Sequence, residues 1–74
     1  MFDKRPGVAQ SKIEAARWYR KAADQGVAVA ERNLGRLYYE GRGVEKNYQE
    51  AVRWWQKASK QGDKLAQRAL EELQ

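Results

Sequence analysis

The run Leu34-Gly35-Arg36-Leu37-Tyr38-Tyr39-Glu40-Gly41-Arg42-Gly43-Val44 reads as the end of a helix followed by a glycine loop that turns the chain back. Leu34, Leu37 and Tyr38 share one helical side, and Gly41 and Gly43 serve the reversal. The same joint leaves a trace elsewhere. Shifting the sequence by 36 residues lays it on itself with 14 identities in 38 aligned pairs. Gly7 and Val8 meet Gly43 and Val44; Glu14, Ala15, Arg17, Trp18, Lys21, Ala22, Gln25 and Gly26 meet Glu50, Ala51, Arg53, Trp54, Lys57, Ala58, Gln61 and Gly62; Ala30, Arg32, Leu34 and Leu37 meet Ala66, Arg68, Leu70 and Leu73. A period of this length marks a repeat of one supersecondary unit, and Gly7 with Val8 reads as the remnant of a second loop.

Each period holds two helical patterns. Ser11, Lys12, Ile13 and Glu14 form a capping box that predicts a helix from Ser11 to about Gln25, with Ala15, Ala16, Trp18, Tyr19, Ala22 and Ala23 facing inward and Gly26 ending it. The next helix runs over about 27–39, with Val27, Ala30, Leu34, Leu37 and Tyr38 inward. Gly35 lies beside that stripe. A glycine within a helix costs about 0.8 to 1 kcal/mol against alanine, so a close approach of a neighbouring helix backbone is expected there. The first pattern returns over about 47–61: Asn47 caps, Glu50 closes a second box, Ala51, Val52, Trp54, Trp55 and Ala58 face inward, and Gly62 stops the helix. Asp63 caps a last helix over 63–73 with Ala66, Ala69, Leu70 and Leu73 inward. Four helices and no strands make the fold all-α. Pro6 sits ahead of the first helix, and the first six residues and Gln74 are expected to fray.

Composition narrows the chemistry. A chain of 74 residues forms one domain at most and buries only about 60% of its unfolded surface. It has no cysteine and no histidine, which removes disulfides, the usual metal and haem ligand sets and the commonest general base, so no cofactor and no metal is expected. Catalysis finds no support in what remains: Glu71 and Glu72 diverge on a helix, Ser11 and Ser59 read as a cap and a packing residue, and Gly41-Arg42-Gly43 lacks the lysine and hydroxyl of a phosphate loop. No window approaches the roughly 18 apolar residues of a membrane span, and no apolar signal core follows Met1. A chain beginning naturally at Met1 is therefore expected in the cytoplasm. The net charge of +5 is compatible with nucleic acid, an anionic membrane or an acidic protein, and equally with solvated helix faces.

Ala30, Leu34, Gly35, Tyr38, Gly41, Gly43, Val44, Ala51, Trp54, Lys57, Ala58, Gln61 and Gly62 together resemble the Sel-one-like repeat, a tetratricopeptide-type helix pair. The resemblance covers 27–62 as a complete repeat, 7–26 as a partial one and 63–74 as a partial or capping one. It implies an α-α superhelix, a short α-solenoid of antiparallel helix pairs, that binds proteins or peptides without catalysis. Asn47, Trp55 and Ser59 depart from the usual aspartate, tyrosine and alanine, changes that touch a cap and packing.

Repeat units bury their faces on neighbours and commonly need about three copies. Glu71 and Glu72 replace Gly35 and Arg36 of the full repeat and suit a polar cap. Met1 and Phe2 align with Leu37 and Tyr38, as if a preceding helix were cut short, which leaves Trp18 and Tyr19 in want of a cover. Self-association through that N-terminal face, or membership of a longer array, is the expectation.

Two sets of basic residues follow from the pattern. Arg17, Lys21, Arg53 and Lys57, extended by Lys60 and Lys64, lie on the polar side of the first-type helices, by analogy the convex and solvated side. Arg32, Arg36 and Arg68 lie on the second-type helices, which line the concave surface in tetratricopeptide-like arrays. Arginine offers a fork for carboxylates, so the candidate partner-binding residues are Arg32, Arg36, Tyr39, Lys64 and Arg68. The function expected is an adaptor or scaffold module for a protein or peptide partner. The alternative is a helical repeat that binds nucleic acid through its basic rows; no base-reading pair recurs at fixed positions, and the interaction reading is preferred.

Overall fold

The computed structural model describes the backbone of residues 7–73 and the side chains of residues 11–73. Four helices follow one another: α1 (Gly7–Asp24), α2 (Ala28–Glu40), α3 (Tyr48–Lys60) and α4 (Lys64–Leu73). There is no strand among the described residues. Met1, Phe2, Pro6 and Gln74 lie outside them.

The ends of α1 and α3 are built alike. Gly26 and Gly62 stand at φ 86° and 94°. At the first end the amides of Gly26 and Val27 donate to the carbonyls of Ala23 and Ala22; at the second, those of Gly62 and Asp63 donate to Ser59 and Ala58, which satisfies the last carbonyls of each helix. At the end of α2, Gly41 takes φ 70°, and its amide and that of Arg42 both donate to Leu37 O.

The helix starts differ from expectation in three places. Helix α1 is already formed at Gly7, the first described residue, so Ser11 sits inside it and caps nothing, and Gly7 with Val8 belongs to the helix rather than to a loop. The residues Val8, Ala9 and Gln10 offer no break. Asn47 does cap α3, accepting from the Glu50 amide at 3.1 Å. The reciprocal half of the box is missing: the Asn47 amide donates to Tyr38 O at 2.9 Å, and the Glu50 carboxylate turns to Arg53 Nη1 at 3.1 Å. Asp63 caps α4 as expected, accepting from the Ala66 amide at 3.0 Å.

Each helix packs on the next, and the core divides between the two joints. Ala23, Ala30, Leu34 and Trp54 form one cluster, with Tyr19, Ala22, Leu37 and Tyr38 against it. Ala51, Trp55, Ala58 and Ala66 form the other, with Ala28, Ala69, Leu70 and again Tyr38. Alanines let the helix backbones approach closely, and the two indoles supply most of the apolar bulk. Several expected core positions lie outside: Ala15 is exposed, Val27 and Leu73 are largely exposed, and Trp18 keeps 67% of its surface where its counterpart Trp54 keeps 7%. The face of α1 that carries Trp18 is covered by no described element.

Two glycines explain the closeness of the joints. A Cβ on Gly35 would stand 2.7 Å from Trp55 Cδ1 and Nε1 and 3.0 Å from Ala51 O. The expected approach at Gly35 is thus an indole edge first and a helix carbonyl second. Gly43 (φ 76°) rests on α1 itself, where an added Cβ would collide with the Lys12 carbonyl. The glycine loop therefore touches the preceding repeat as well as linking α2 to α3.

Candidate functional site

Arg32, Arg36 and Tyr39 project from one side of α2, since 100° per residue places them within a 60° arc. The structure gives them different work. Arg32 is held: its Nε pairs with Asp63 Oδ2 at 3.0 Å, its Nη1 reaches Asn33 Oδ1 at 3.5 Å, and its backbone carbonyl accepts from Trp55 Nε1 at 3.1 Å. Burial works against the charge on Asp63, but the Ala66 and Leu65 amides and the Arg32 guanidinium outweigh it and hold the carboxyl below the usual carboxylate range. This pair ties the N-terminus of α4 to α2. Its position makes Arg32 a brace between helices rather than an open fork.

Tyr39 is also partly engaged. Its ring lies 5.1 Å from Tyr48 and 5.6 Å from Trp55, both tilted, and Lys46 Nζ stands 5.3 Å over Tyr48. About a third of Tyr39 remains exposed at the edge of this aromatic group. Arg36 is the open member of the trio, with an exposed side chain paired to Glu40 at 3.3 Å one turn on. Such a pair between solvated groups is weak, on the order of 0.3–0.5 kcal/mol, and a partner carboxylate competes with it.

Arg36 borders a cleft of about 270 Å³ between α1 and α2, whose walls include Lys12, Tyr19, Asn33 and Arg42. Glu40 links Arg36 to Arg42, its Oε1 accepting from Arg42 Nη1 at 3.4 Å. Lys12, Arg42 and Asn33 went unread in the sequence. Arg42 sits inside the glycine loop, of which only the glycines carry a reading in the sequence, and Lys12 falls in the expected capping box, which the structure shows as helix interior. On α4, Lys64 and Arg68 are exposed, and among the described residues neither joins an ion pair. The five candidates therefore do not form a single constellation: Arg36 faces the α1–α2 cleft, Arg32 braces α2 against α3 and the start of α4, Tyr39 packs on α3, and Lys64 and Arg68 stand open on α4.

Part of the other basic row is engaged within its own helices, while Arg17 and Lys60 are exposed and join no ion pair among the described residues. Lys57 Nζ lies 4.6 Å from the Trp54 ring centroid and Lys21 Nζ 5.8 Å from Trp18, the same contact one repeat apart, while Arg53 pairs with Glu50. Among the described residues no group of three or more histidine, cysteine, aspartate or glutamate side chains is placed to hold a metal ion. No helix of the described residues is long and apolar enough to cross a membrane.

Helix pairs joined by glycine-capped turns and repeated at this spacing match a family model described as Sel1 repeat, over residues 1–27 and 28–63. The chain belongs to the Sel1 repeat family. A crystal structure of a Sel1 repeat protein from Oxalobacter formigenes is similar at a TM-score of 0.80 and 44% sequence identity, covering 82% of this chain and 25% of that one. The present chain thus spans about a quarter of the length of that one. No curated protein matches the chain. The all-α superhelical arrangement and its tetratricopeptide-like helix pairs are those of this Sel1 repeat relative.

Proposed function

We propose that this Sel1 repeat chain is a non-catalytic interaction module that holds an acidic segment of a protein partner along α2 and α4. Sel1 repeats generally serve as protein–protein interaction modules, and the faces of this chain fit such a role. One observation carries the choice of face: Arg36, Lys64 and Arg68 are exposed and, among the described residues, either unpaired or weakly paired, and on α2 Tyr39 keeps an exposed aromatic edge, whereas Lys21 and Lys57 lie over the Trp18 and Trp54 rings. Guanidinium groups at Arg36 and Arg68 offer forked donors to carboxylates, and the Tyr39 edge on α2 offers an apolar contact. Arg32 keeps α4 at its distance from α2 and so shapes this surface without leaving its place. The proposed partner is a protein or peptide held outside the cell membrane's apolar interior, and neither cofactor nor metal is required.

The experiment is affinity capture from the source cell, compared with a variant carrying Arg36→Glu, Lys64→Glu and Arg68→Glu, with circular dichroism showing equal helicity. Loss of the captured proteins in the variant supports the face; an unchanged profile removes it. Titration with an unrelated nucleic acid at two salt concentrations addresses the alternative. A steep fall of affinity with salt would mean several phosphate contacts and favour nucleic acid.

A further inference from the structure

We propose that the groove between α1 and the α2–α3 loop is a second docking site, which takes an acidic protein segment by one bulky aliphatic side chain flanked by carboxylates. None of Arg36, Lys64 and Arg68 lines this groove, so the inference stands whether or not the α2–α4 face binds a partner.

The groove holds about 400 Å³, within the range of about 300–1,000 Å³ usual for ligand pockets. Buried Ala16 and Leu34 lie at its base beside half-buried Tyr38. Val44 of the loop and Ile13 of α1 extend it with aliphatic surface, and Ile13 is 43% exposed. The repeat gives that exposure a meaning. The counterpart of Ile13 is Gln49, which is exposed too, so the position faces outward in both helices and carries an apolar side chain only in α1. Ile13 belongs to neither core cluster.

The groove keeps its form whatever stands ahead of α1 or after α4. On α3, the side that meets the preceding helix is marked by Ala51 and Trp55, which close on Gly35. Their counterparts on α1 are Ala15 and Tyr19, and neither lines the groove. The helix that follows is already in place, because Arg20 reaches from α1 to within 5.9 Å of the Trp54 ring on α3.

Charge at the rim selects the occupant. Arg17, Arg20 and Lys21 border the groove against a single carboxylate, Asp24. Asp24 pairs with Arg20 at 3.5 Å, but both side chains are more than half exposed, so the pair is weak and a partner carboxylate competes with it. Arg17 is exposed and joins no ion pair among the described residues. Arg20 is also steadied from below, its Nη1 donating to the Tyr38 hydroxyl at 3.4 Å. A positive rim over an aliphatic base fits carboxylates on either side of a leucine-like side chain. Nucleic acid would bring phosphates to the rim, but its bases stack on aromatic faces and gain little from isoleucine and valine.

The probe is a labelled synthetic peptide with one leucine flanked on each side by glutamates, read by fluorescence anisotropy. It is titrated into the unaltered chain and into a chain carrying Arg36→Ala, Lys64→Ala and Arg68→Ala, so that the groove is measured apart from the α2–α4 face. Both chains should bind it saturably. In the second chain, replacing the peptide's leucine with alanine, or its glutamates with lysines, should weaken binding at least about tenfold. Ile13→Gln, which installs the side chain found at the equivalent position of α3, should do the same, and Arg17→Glu should in addition reduce the salt dependence. Both positions are exposed, and circular dichroism checks that helicity is kept. Amide chemical-shift changes should centre on residues 13–24 and on Val44. The proposal is overturned if the second chain does not bind the peptide at its highest soluble concentration, if Ile13→Gln binds as tightly as its parent, or if the shift changes centre on α4. It is equally overturned by an unrelated single-stranded nucleic acid that displaces the peptide and binds Ile13→Gln undiminished.

Discussion

At the scale of single residues, the adjacent indoles of α3 differ in what they contribute. Trp55 Nε1 donates to Arg32 O, whereas Trp54 Nε1 is buried with no hydrogen-bond partner among the described residues. Phenylalanine at Trp55 gives up a bond worth about 0.5–1.5 kcal/mol and at Trp54 gives up none. Urea unfolding should accordingly place Trp55→Phe about 1 kcal/mol below Trp54→Phe; equal midpoints would show that the Arg32 contact contributes nothing. Gly35 sets a second test. Helix propensity alone predicts that alanine there gains up to about 1 kcal/mol, but the added Cβ would crowd Trp55 and the Ala51 carbonyl, and overpacking of this kind costs about 1–3 kcal/mol. Gly35→Ala should lower the unfolding midpoint, and a raised midpoint would mean that Trp55 can give way. Gly35 was legible in the sequence as a point of close approach because glycine has a known cost within a helix. That an indole rather than a backbone fills the space was not legible, since spacing along α2 says nothing of the rotamer chosen on α3.

At the scale of elements, the caps decide where helices start, and side chains that cross between helices decide how firmly they are held. Gln61 Nε2 reaches both Gly26 O and the buried carboxylate of Glu31 at 2.9 Å, joining the end of α3 to the α1–α2 turn. Asp63 caps α4 and pairs with Arg32, so Asp63→Ala should destabilise by about 1–2 kcal/mol. The lowered carboxyl of Asp63 gives this contribution a pH signature. A carboxyl whose folded value lies below its unfolded one, about 3.9, stabilises fully above that value and loses its effect as pH falls through the folded one. Thermal unfolding between neutral pH and about pH 2 should show this loss, and Asp63→Asn, which keeps a cap acceptor but no charge, should flatten that part of the curve. An unaltered acid limb in Asp63→Asn would remove the assignment. Asn47 and Asp63 were both legible as caps because the residue types and their positions before apolar runs say so. Ser11 offered the same pattern and caps nothing. Its upstream residues are helix formers, whereas Asn47 follows a loop pinned by the Tyr38 carbonyl, and that pin depends on α2 rather than on the local sequence.

At the scale of the whole molecule, the chain is a row of joints with extents of 44 × 26 × 16 Å. Tyr38 packs against both core clusters and links them. Helices α2 and α3 lie within the row, while α4 has α3 on one side only, apart from the Arg32–Asp63 tie. Amide hydrogen exchange should therefore release α4 before α2 and α3, and uniform protection along the chain would contradict this order. The repeat period revealed this architecture, because identities at a fixed shift report equivalence of whole helices and need no knowledge of contacts. Binding residues were less legible. The arc shared by Arg32, Arg36 and Tyr39 followed from helix geometry, but Arg32 is engaged by Asp63, 31 positions away in the chain. The pairing could not be found from the repeat, since the counterpart of Asp63 is Val27.

The contact between Gly43 and the Lys12 carbonyl has a consequence for shape. Because main chain meets main chain there, the loop works as a gauge that fixes the pitch between successive helix pairs. Surface side chains can then diverge from copy to copy while the curvature of the superhelix is kept. A bulkier residue at Gly43 would act as a wedge, splaying α1 from the loop and bending every segment beyond it by the same angle.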